Sequence, residues 1–205
     1  MEPLLLITSL LLANGMNGDI PGRGGVNPGD DDDAAILTLH AYQSQPGWNE
    51  TGHCFLSVKN IKSSTITVGH QNLSSNNKLS IGTWPTSYHY GIHYNYENYD
   101  NGGWKSRPCA TLSVTITDLG VSALNTILHN SSYNTWTISN TCASFASYVW
   151  NQLIPSTYYQ VTVSWQPSVV YSSITSISGY STTSVIPNNS NVGYVSASDT
   201  FVSIP

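Results

Sequence analysis

The chain has 205 residues, enough for one domain of ordinary size with tails. Only 8% of them are charged, against about 25% in an average soluble domain. Six Lys and Arg face eleven Asp and Glu for a net charge of -5, and the absence of a basic run excludes DNA and RNA as principal partners. The abundance of Ser, Thr, Asn, Tyr and Gly with little lysine is the composition of exported, β-rich proteins, which points to a secreted or cell-surface location.

Residues 1–35 separate from the rest. Leu4 to Ala13 is an apolar run, shorter than the roughly 20 residues that span a bilayer, so no stable membrane span is expected. Its length suits the hydrophobic part of a secretory signal or a remnant of one, while Met1-Glu2-Pro3 ahead of it lacks the usual positive charge. The stretch from Asn14 to Asp33 is rich in Gly and Pro and reads as a flexible linker. Its Asp30 to Asp33 run is a solvated acidic segment rather than a calcium loop, because the alternating ligand spacing is missing.

The pattern then turns to strands. Ile36 to Tyr42 and His53 to Lys59 carry alternating or continuous apolar, β-branched and aromatic residues around a Pro46-Gly47 turn, and Ser64 to Gly69 repeats the signal. These three are expected to lie side by side, antiparallel. Lys78 to Thr83, His89 to Glu97 and Ala110 to Thr117 are further extended segments. Apolar residues at 121, 124, 127 and 128 have helical spacing, with Asp118 as N-cap. A second helix opens at Cys142 and carries Ala143, Ala146, Val149, Trp150 and Leu153 on one stripe before Pro155. Residues 156–205 are Ser/Thr-rich and β-prone, either adding strands to the sheet or forming an appended segment.

Cys142 stands where a helix begins. The macrodipole and the free N–H groups there stabilise a thiolate, which lowers the pKa of the thiol and makes it a nucleophile. The plainer alternative is a buried core cysteine. His53 opens a strand after Gly52, a residue that permits close backbone approach, and an imidazole at a strand end is suited to act as general base toward such a thiol. A third polar group should orient the ring. If the strands around 53–59 and 64–70 form a tight hairpin, His70 falls beside His53, with Gln71 and Asn72 as substitutes; a slip of one residue would turn His70 to the other face.

Between these two segments lies an aromatic and amide-rich cluster. Trp84, His89, Tyr94, Asn95 and Glu97 are candidates for lining a substrate groove. On a continuous strand His89, His93 and Glu97 would share one face, but such spacing is a weak zinc signal and a polar strand face is the stronger reading. No metal or cofactor is therefore expected. Cys54 should project away from His53 into the core, and Cys109 is available to pair with it in an oxidising compartment, one of three possible pairings.

The segments Gly52-His53-Cys54-Phe55-Leu56-Ser57-Val58 and Asn140-Thr141-Cys142-Ala143-Ser144-Phe145-Ala146 resemble the two halves of a permuted papain-like domain, with His before Cys. This group includes permuted NlpC-type peptidases and lecithin retinol acyltransferase-like proteins. The resemblance covers roughly residues 36–155. It implies an α+β fold in which an antiparallel β-sheet packs against a few helices, with Cys142 as nucleophile, His53 as base and His70 as the third catalytic residue. The chain departs from the pattern in having Asn140-Thr141 before the cysteine, where NlpC-type peptidases typically carry an Asp, and in the spacing of its two histidines. The implied function is that of a thiol hydrolase, a cysteine peptidase or amidase cleaving peptide or amide bonds, with cell-wall peptides as one substrate class. Two other readings stand beside it: a secreted glycan-binding module using Trp84, Tyr88, Tyr90, Tyr94 and Tyr96, and a degenerate papain-like domain that binds without cleaving. The oligomeric state is open.

Overall fold

The computed structural model describes residues 33–44, 52–154 and 159–205. The apolar N-terminal run, most of the linker and the Pro46-Gly47 turn lie outside them. The described elements are β1 (Asp33–Tyr42), β2 (His53–Asn60), β3 (Ile66–Val68), β4 (Gln71–Leu73), β5 (Lys78–Pro85), β6 (Tyr90–Tyr94), α1 (Tyr96–Tyr99), a 3-10 turn (Gly103–Ser106), β7 (Cys109–Thr117), α2 (Asp118–Leu128), α3 (Cys142–Leu153), α4 (Pro167–Thr175), β8 (Gly193–Val195) and β9 (Phe201–Ser203). Seven strands form one antiparallel sheet in the order β7-β1-β2-β5-β6-β8-β9, and β3 and β4 form a separate ribbon. The fold is therefore α+β.

Strand alternation sorts the core into two faces. Leu37, Leu39 and Ala41 of β1 stand opposite Val58, Leu56 and Cys54 of β2 and opposite Val114, Leu112 and Ala110 of β7. All nine are buried, in one cluster with the apolar stripes of α2, α3 and α4. Each large aliphatic side chain there contributes about 1.5–3 kcal/mol. The intervening residues of β1 and β2, among them Tyr42 and Phe55, face the other way and gather around Trp104. His53 stacks with this second group, so it belongs to the aromatic face while Cys54 belongs to the helix face.

Helix α3 is fixed at its N-terminus by a capping box. The Thr141 hydroxyl accepts from the Ser144 N–H, and the Ser144 hydroxyl accepts from the Thr141 N–H at 2.7 Å. Helix α2 is capped by Thr117 rather than by Asp118, which lies in the first turn and pairs with Lys62.

Two expectations about the strands give way. The segment around 64–69 does not lie beside β2: β3 pairs with β4, and β2 takes β5 as its second neighbour. The cause is Asn60, fully buried, whose amide donates to the carbonyls of Ser64 and Leu73 and whose oxygen accepts from the Lys62 N–H. These bonds turn the chain out of the sheet and back. The extended run from His89 to Glu97 is also broken, because Asn95 adopts a left-handed conformation with φ of 60° and starts α1. The C-terminal segment, whose place the sequence left open, adds β8 and β9 to the main sheet, with β8 paired to β6.

Cys54 and Cys109 are not partners. Cys54 stands opposite Ala41 and Cys109 opposite Tyr42, adjacent residues of β1 that face opposite sides of the sheet. All three cysteines are free. Among the described residues no helix is long and apolar enough to cross a membrane.

Candidate active site

The end of β1 and the start of β2 approach so closely that a Cβ on Gly52 would stand 2.0 Å from the Tyr42 carbonyl oxygen. Glycine at 52 is what lets the next residue, His53, emerge at the rim of the sheet. Helix α3 packs on the other face of β2, and its first residue, Cys142, meets the imidazole at that rim. His53 and Cys142 are close enough to shift each other's ionisation, and His53 Nε2 lies 3.3 Å from Oε1 of Glu97. With Nε2 engaged by the carboxylate, Nδ1 is the nitrogen left to serve the thiol.

Glu97 is fully buried, yet it is well solvated by the protein. Oε1 also accepts from Trp84 Nε1 at 3.0 Å, and Oε2 accepts from the Ser80 hydroxyl at 2.5 Å. A Cβ at position 82 would come within 2.3 Å of Oε1, so Gly82 keeps the space this carboxylate fills. The His53 ring is held among aromatic rings, with Trp84 at 4.1 Å, Trp104 at 4.8 Å and Phe55 at 5.7 Å between centroids.

The charges follow from these contacts. Burial disfavours an imidazolium at His53, but the Cys142 thiolate and the Glu97 carboxylate outweigh it and hold the pKa up to about 9. Burial likewise opposes a thiolate at Cys142. The His53 charge and hydrogen bonds from the backbone N–H groups of Cys54 and Ala143 prevail and bring the thiol below its ordinary value. At Glu97 the burial penalty is overcome by His53, Ser80 and Trp84, and the carboxyl stays below the usual range. The contacts thus draw the three groups toward thiolate, imidazolium and carboxylate, with the positive end of α3 adding to the stabilisation of the sulfur.

Of the residues singled out from sequence, His53, Cys142, Trp84 and Glu97 come together here. His70 does not join them. It sits in the turn between β3 and β4, with Nδ1 3.3 Å from the Tyr94 hydroxyl and Nε2 3.0 Å from Asp199. The place foreseen for His70 beside His53 is held by Glu97 instead. Tyr94 and Asn95 are fully buried and turned to structural work rather than to a groove: Asn95 accepts from the Ser80 N–H at 3.0 Å and donates to the Asn191 carbonyl at 2.8 Å. His89 lies 3.1 Å from the Asn134 amide oxygen and stacks on Tyr194. His93 is engaged by Gly91 and Thr86 through both ring nitrogens, so His89, His93 and Glu97 do not converge on a common point.

No protein-family model, curated protein or solved structure matches this chain. A thiol whose pKa is lowered, beside an imidazole whose pKa is raised, sets a potential attacking group next to a proton donor. Next to it Trp84, Tyr96 and Tyr99 form a chain of rings 5.1 and 5.3 Å apart, and Tyr99 is exposed. Sequence reasoning did not single out Ser80 or Trp104, which carry no chemical signature until the fold brings them to Glu97 and His53.

Proposed function

We propose that the protein is a papain-like cysteine hydrolase that cleaves amide or peptide bonds. The observation that carries this reading is the line from the Cys142 sulfur through His53 to the buried Glu97 carboxylate. The Cys142 thiolate attacks the substrate carbonyl carbon. The His53 imidazolium gives its proton to the leaving amine as the C–N bond breaks, and a thioester to Cys142 remains. The neutral imidazole then takes a proton from water, whose oxygen attacks the thioester, and the acid leaves with the thiolate restored. Glu97 does not touch substrate in this scheme; it orients the ring and supports its charge, the role of the acid in other nucleophile–His–acid arrays.

Peptides or other amides, including those of cell walls, are the substrate class that goes with this chemistry, and export would place the protein where such substrates occur. The glycan-binding alternative has less to stand on, because Tyr94 is buried and the Trp84 indole N–H is bound to Glu97.

The test is labelling of the full chain with an electrophilic thiol probe between pH 6 and 8, read by mass spectrometry at each cysteine. Cys109 is the internal reference, a partly exposed thiol that burial pushes above its ordinary pKa. Cys142 should react at least about tenfold faster, since one pKa unit is a tenfold change in thiolate. Equal rates at Cys142 and Cys109 would remove the basis of the proposal. Hydrolysis of amide substrates that persists in C142A would do the same.

A further inference from the structure

Away from Cys142, the described residues bring together a second group of imidazole and carboxylate side chains. His70 comes from the turn between β3 and β4, His129 from the residue that ends α2, and Asp199 from the tip of the β8–β9 hairpin. Their ligand atoms all lie within 4.8 Å of one another. Asp199 offers one oxygen to each ring, Oδ1 at 3.0 Å from His70 Nε2 and Oδ2 at 2.8 Å from His129 Nδ1. The two rings are 4.3 Å apart between centroids, and the Asp199 carbonyl oxygen lies 3.1 Å from His70 Nε2.

We propose that His70, His129 and Asp199 bind one divalent transition cation of the zinc type, which clips the C-terminal hairpin to the body of the domain. The donor set of two imidazole nitrogens and a carboxylate oxygen is the borderline kind that zinc takes, with water or the nearby carbonyl completing four-coordination. Converging ligand atoms within 4.8 Å need only small side-chain rotations to reach a common ion at about 2.0–2.2 Å from each.

Two features outside the three ligands support a cation rather than a chance meeting of side chains. First, the His70 ring is oriented from behind: its Nδ1 meets the hydroxyl of Tyr94, a side chain that is fully buried, which leaves Nε2 facing Asp199. A hydrogen bond to the distal nitrogen is how proteins orient a metal-binding histidine. Second, His129 lies at the C-terminal end of α2, an 11-residue helix whose dipole presents its negative end there and favours a positive charge.

The fold also gives such a clip a task. The β8–β9 hairpin pairs with β6 at two positions, His93 with Tyr194 and Tyr94 with Gly193, and Asn134 donates to the carbonyls of Val195 and Ser196, while its tip at Asp199 reaches the β3–β4 turn and the end of α2 through side chains. Asp199 is 129 residues from His70 and 70 from His129 in sequence. An ion shared by the three would tie the last strands to the β3–β4 turn and to the end of α2, and anything that binds only the folded state raises its stability.

The experiment is titration of the untagged full chain with ZnCl2 by calorimetry, in a C142S background so that the thiol of the candidate active site cannot take the metal. The expected result is one equivalent bound, a rise in the unfolding midpoint with zinc, and slowed amide exchange across residues 193–203. H129A and D199N should each weaken binding by at least about tenfold. Both residues are substantially exposed, and asparagine tolerates the left-handed backbone of Asp199, so these variants should remain folded. Co2+ added to the chain with Cys142 intact should produce one site whose spectrum lacks sulfur-to-metal charge transfer. No saturable zinc binding, binding unchanged in H129A and D199N, binding of Ca2+ in preference to Zn2+, or a cobalt spectrum with thiolate bands alone would each overturn the proposal.

Discussion

Glu97→Gln is the perturbation that most directly separates a working thiolate–imidazolium pair from an accidental contact. It keeps the shape and removes the charge. The carboxylate is 3.3 Å from His53 Nε2, where opposite charges attract by about 5 kcal/mol at an effective dielectric of about 20. Part of that gain is cancelled by the cost of burying both groups, and an opposite charge at this range typically shifts a pKa by about 1–3 units. The imidazolium that Glu97 helps hold up to about 9 should therefore fall by that order. The Cys142 thiol, depressed chiefly by the His53 charge, should rise with it. The Ser80 hydroxyl, now a donor to Oε2, can rotate to accept from the new amide, which limits the damage to packing. The assay is the pH profile of iodoacetamide alkylation at Cys142, with Cys109 followed in the same digest. In the wild type the rate should rise at a pH below the ordinary cysteine range; in E97Q the thiol loses its imidazolium neighbour once the pH passes the lowered His53 pKa, so the rate near pH 8 should fall by about tenfold. An unchanged profile in a variant that circular dichroism shows to be folded would refute the electrostatic argument for the site.

Other outcomes follow from the same geometry. His53 followed by NMR should stay imidazolium until the pH rises through about 9; in C142A, where the thiolate is gone, its titration should move down, and an unmoved titration would mean that the sulfur does not act on the ring. Gly82→Ala places a methyl where Oε1 of Glu97 now lies, so it should slow Cys142 alkylation as E97Q does, although residue 82 touches no substrate in the proposed scheme. His40 is buried between the hydroxyls of Ser57 and Ser184, each at 2.8 Å, and burial lowers its pKa to about 3. Because the unfolded chain takes up that proton first, stability should fall as the pH drops from about 6.5 toward 3, by up to on the order of 4 kcal/mol from this group; H40Q should make the acid limb of a urea-midpoint profile shallower, and an equal slope would count against it. Trp150 is fully buried and donates to the Tyr159 carbonyl at 2.8 Å, so Trp150→Ala should cost about 3–5 kcal/mol in chemical denaturation.

Sequence pattern identified the extended cores of β1, β2, β5 and β7 and the two main helices, because the apolar residues of the helices recur at the helical interval and the strands carry alternating or continuous apolar, β-branched and aromatic residues, β1, β2 and β5 being buried on both faces. What it did not reveal was set by single polar side chains acting on the backbone. Asn60 uses three hydrogen bonds to expel the chain from the sheet, and nothing in an alternating run from 64 to 69 signals that the neighbour of β2 will be β5. Likewise Asn95 turns into the left-handed region, a conformation that Asn enters more readily than most residues, but one that a Tyr-rich extended pattern gives no reason to expect there. Those two residues explain the difference at the site. The expectation of His70 beside His53 leaves out the first turn, and the expectation of Glu97 on the strand face of His89 and His93 leaves out the second.

The burial of Glu97 adds a reason to place function at this point in the molecule. It is the only carboxylate among the buried polar residues described, in a chain with few charges to spare. Burying an ion pair is a weak source of stability, since desolvation consumes most of the Coulomb gain and a well-packed apolar substitute is often as stable. Yet the surroundings are arranged to keep this pair charged. Gly82 vacates the volume, Ser80 and Trp84 direct donors at the two oxygens, and Trp84, Trp104 and Phe55 surround the partner ring. A folding requirement alone does not call for an acid held ionised at the end of an imidazole whose other side meets a thiol. The proposed nucleophile, ionised before substrate arrives, would call for it, and under that proposal the charge is kept where it is most costly to solvate because the thiol needs it.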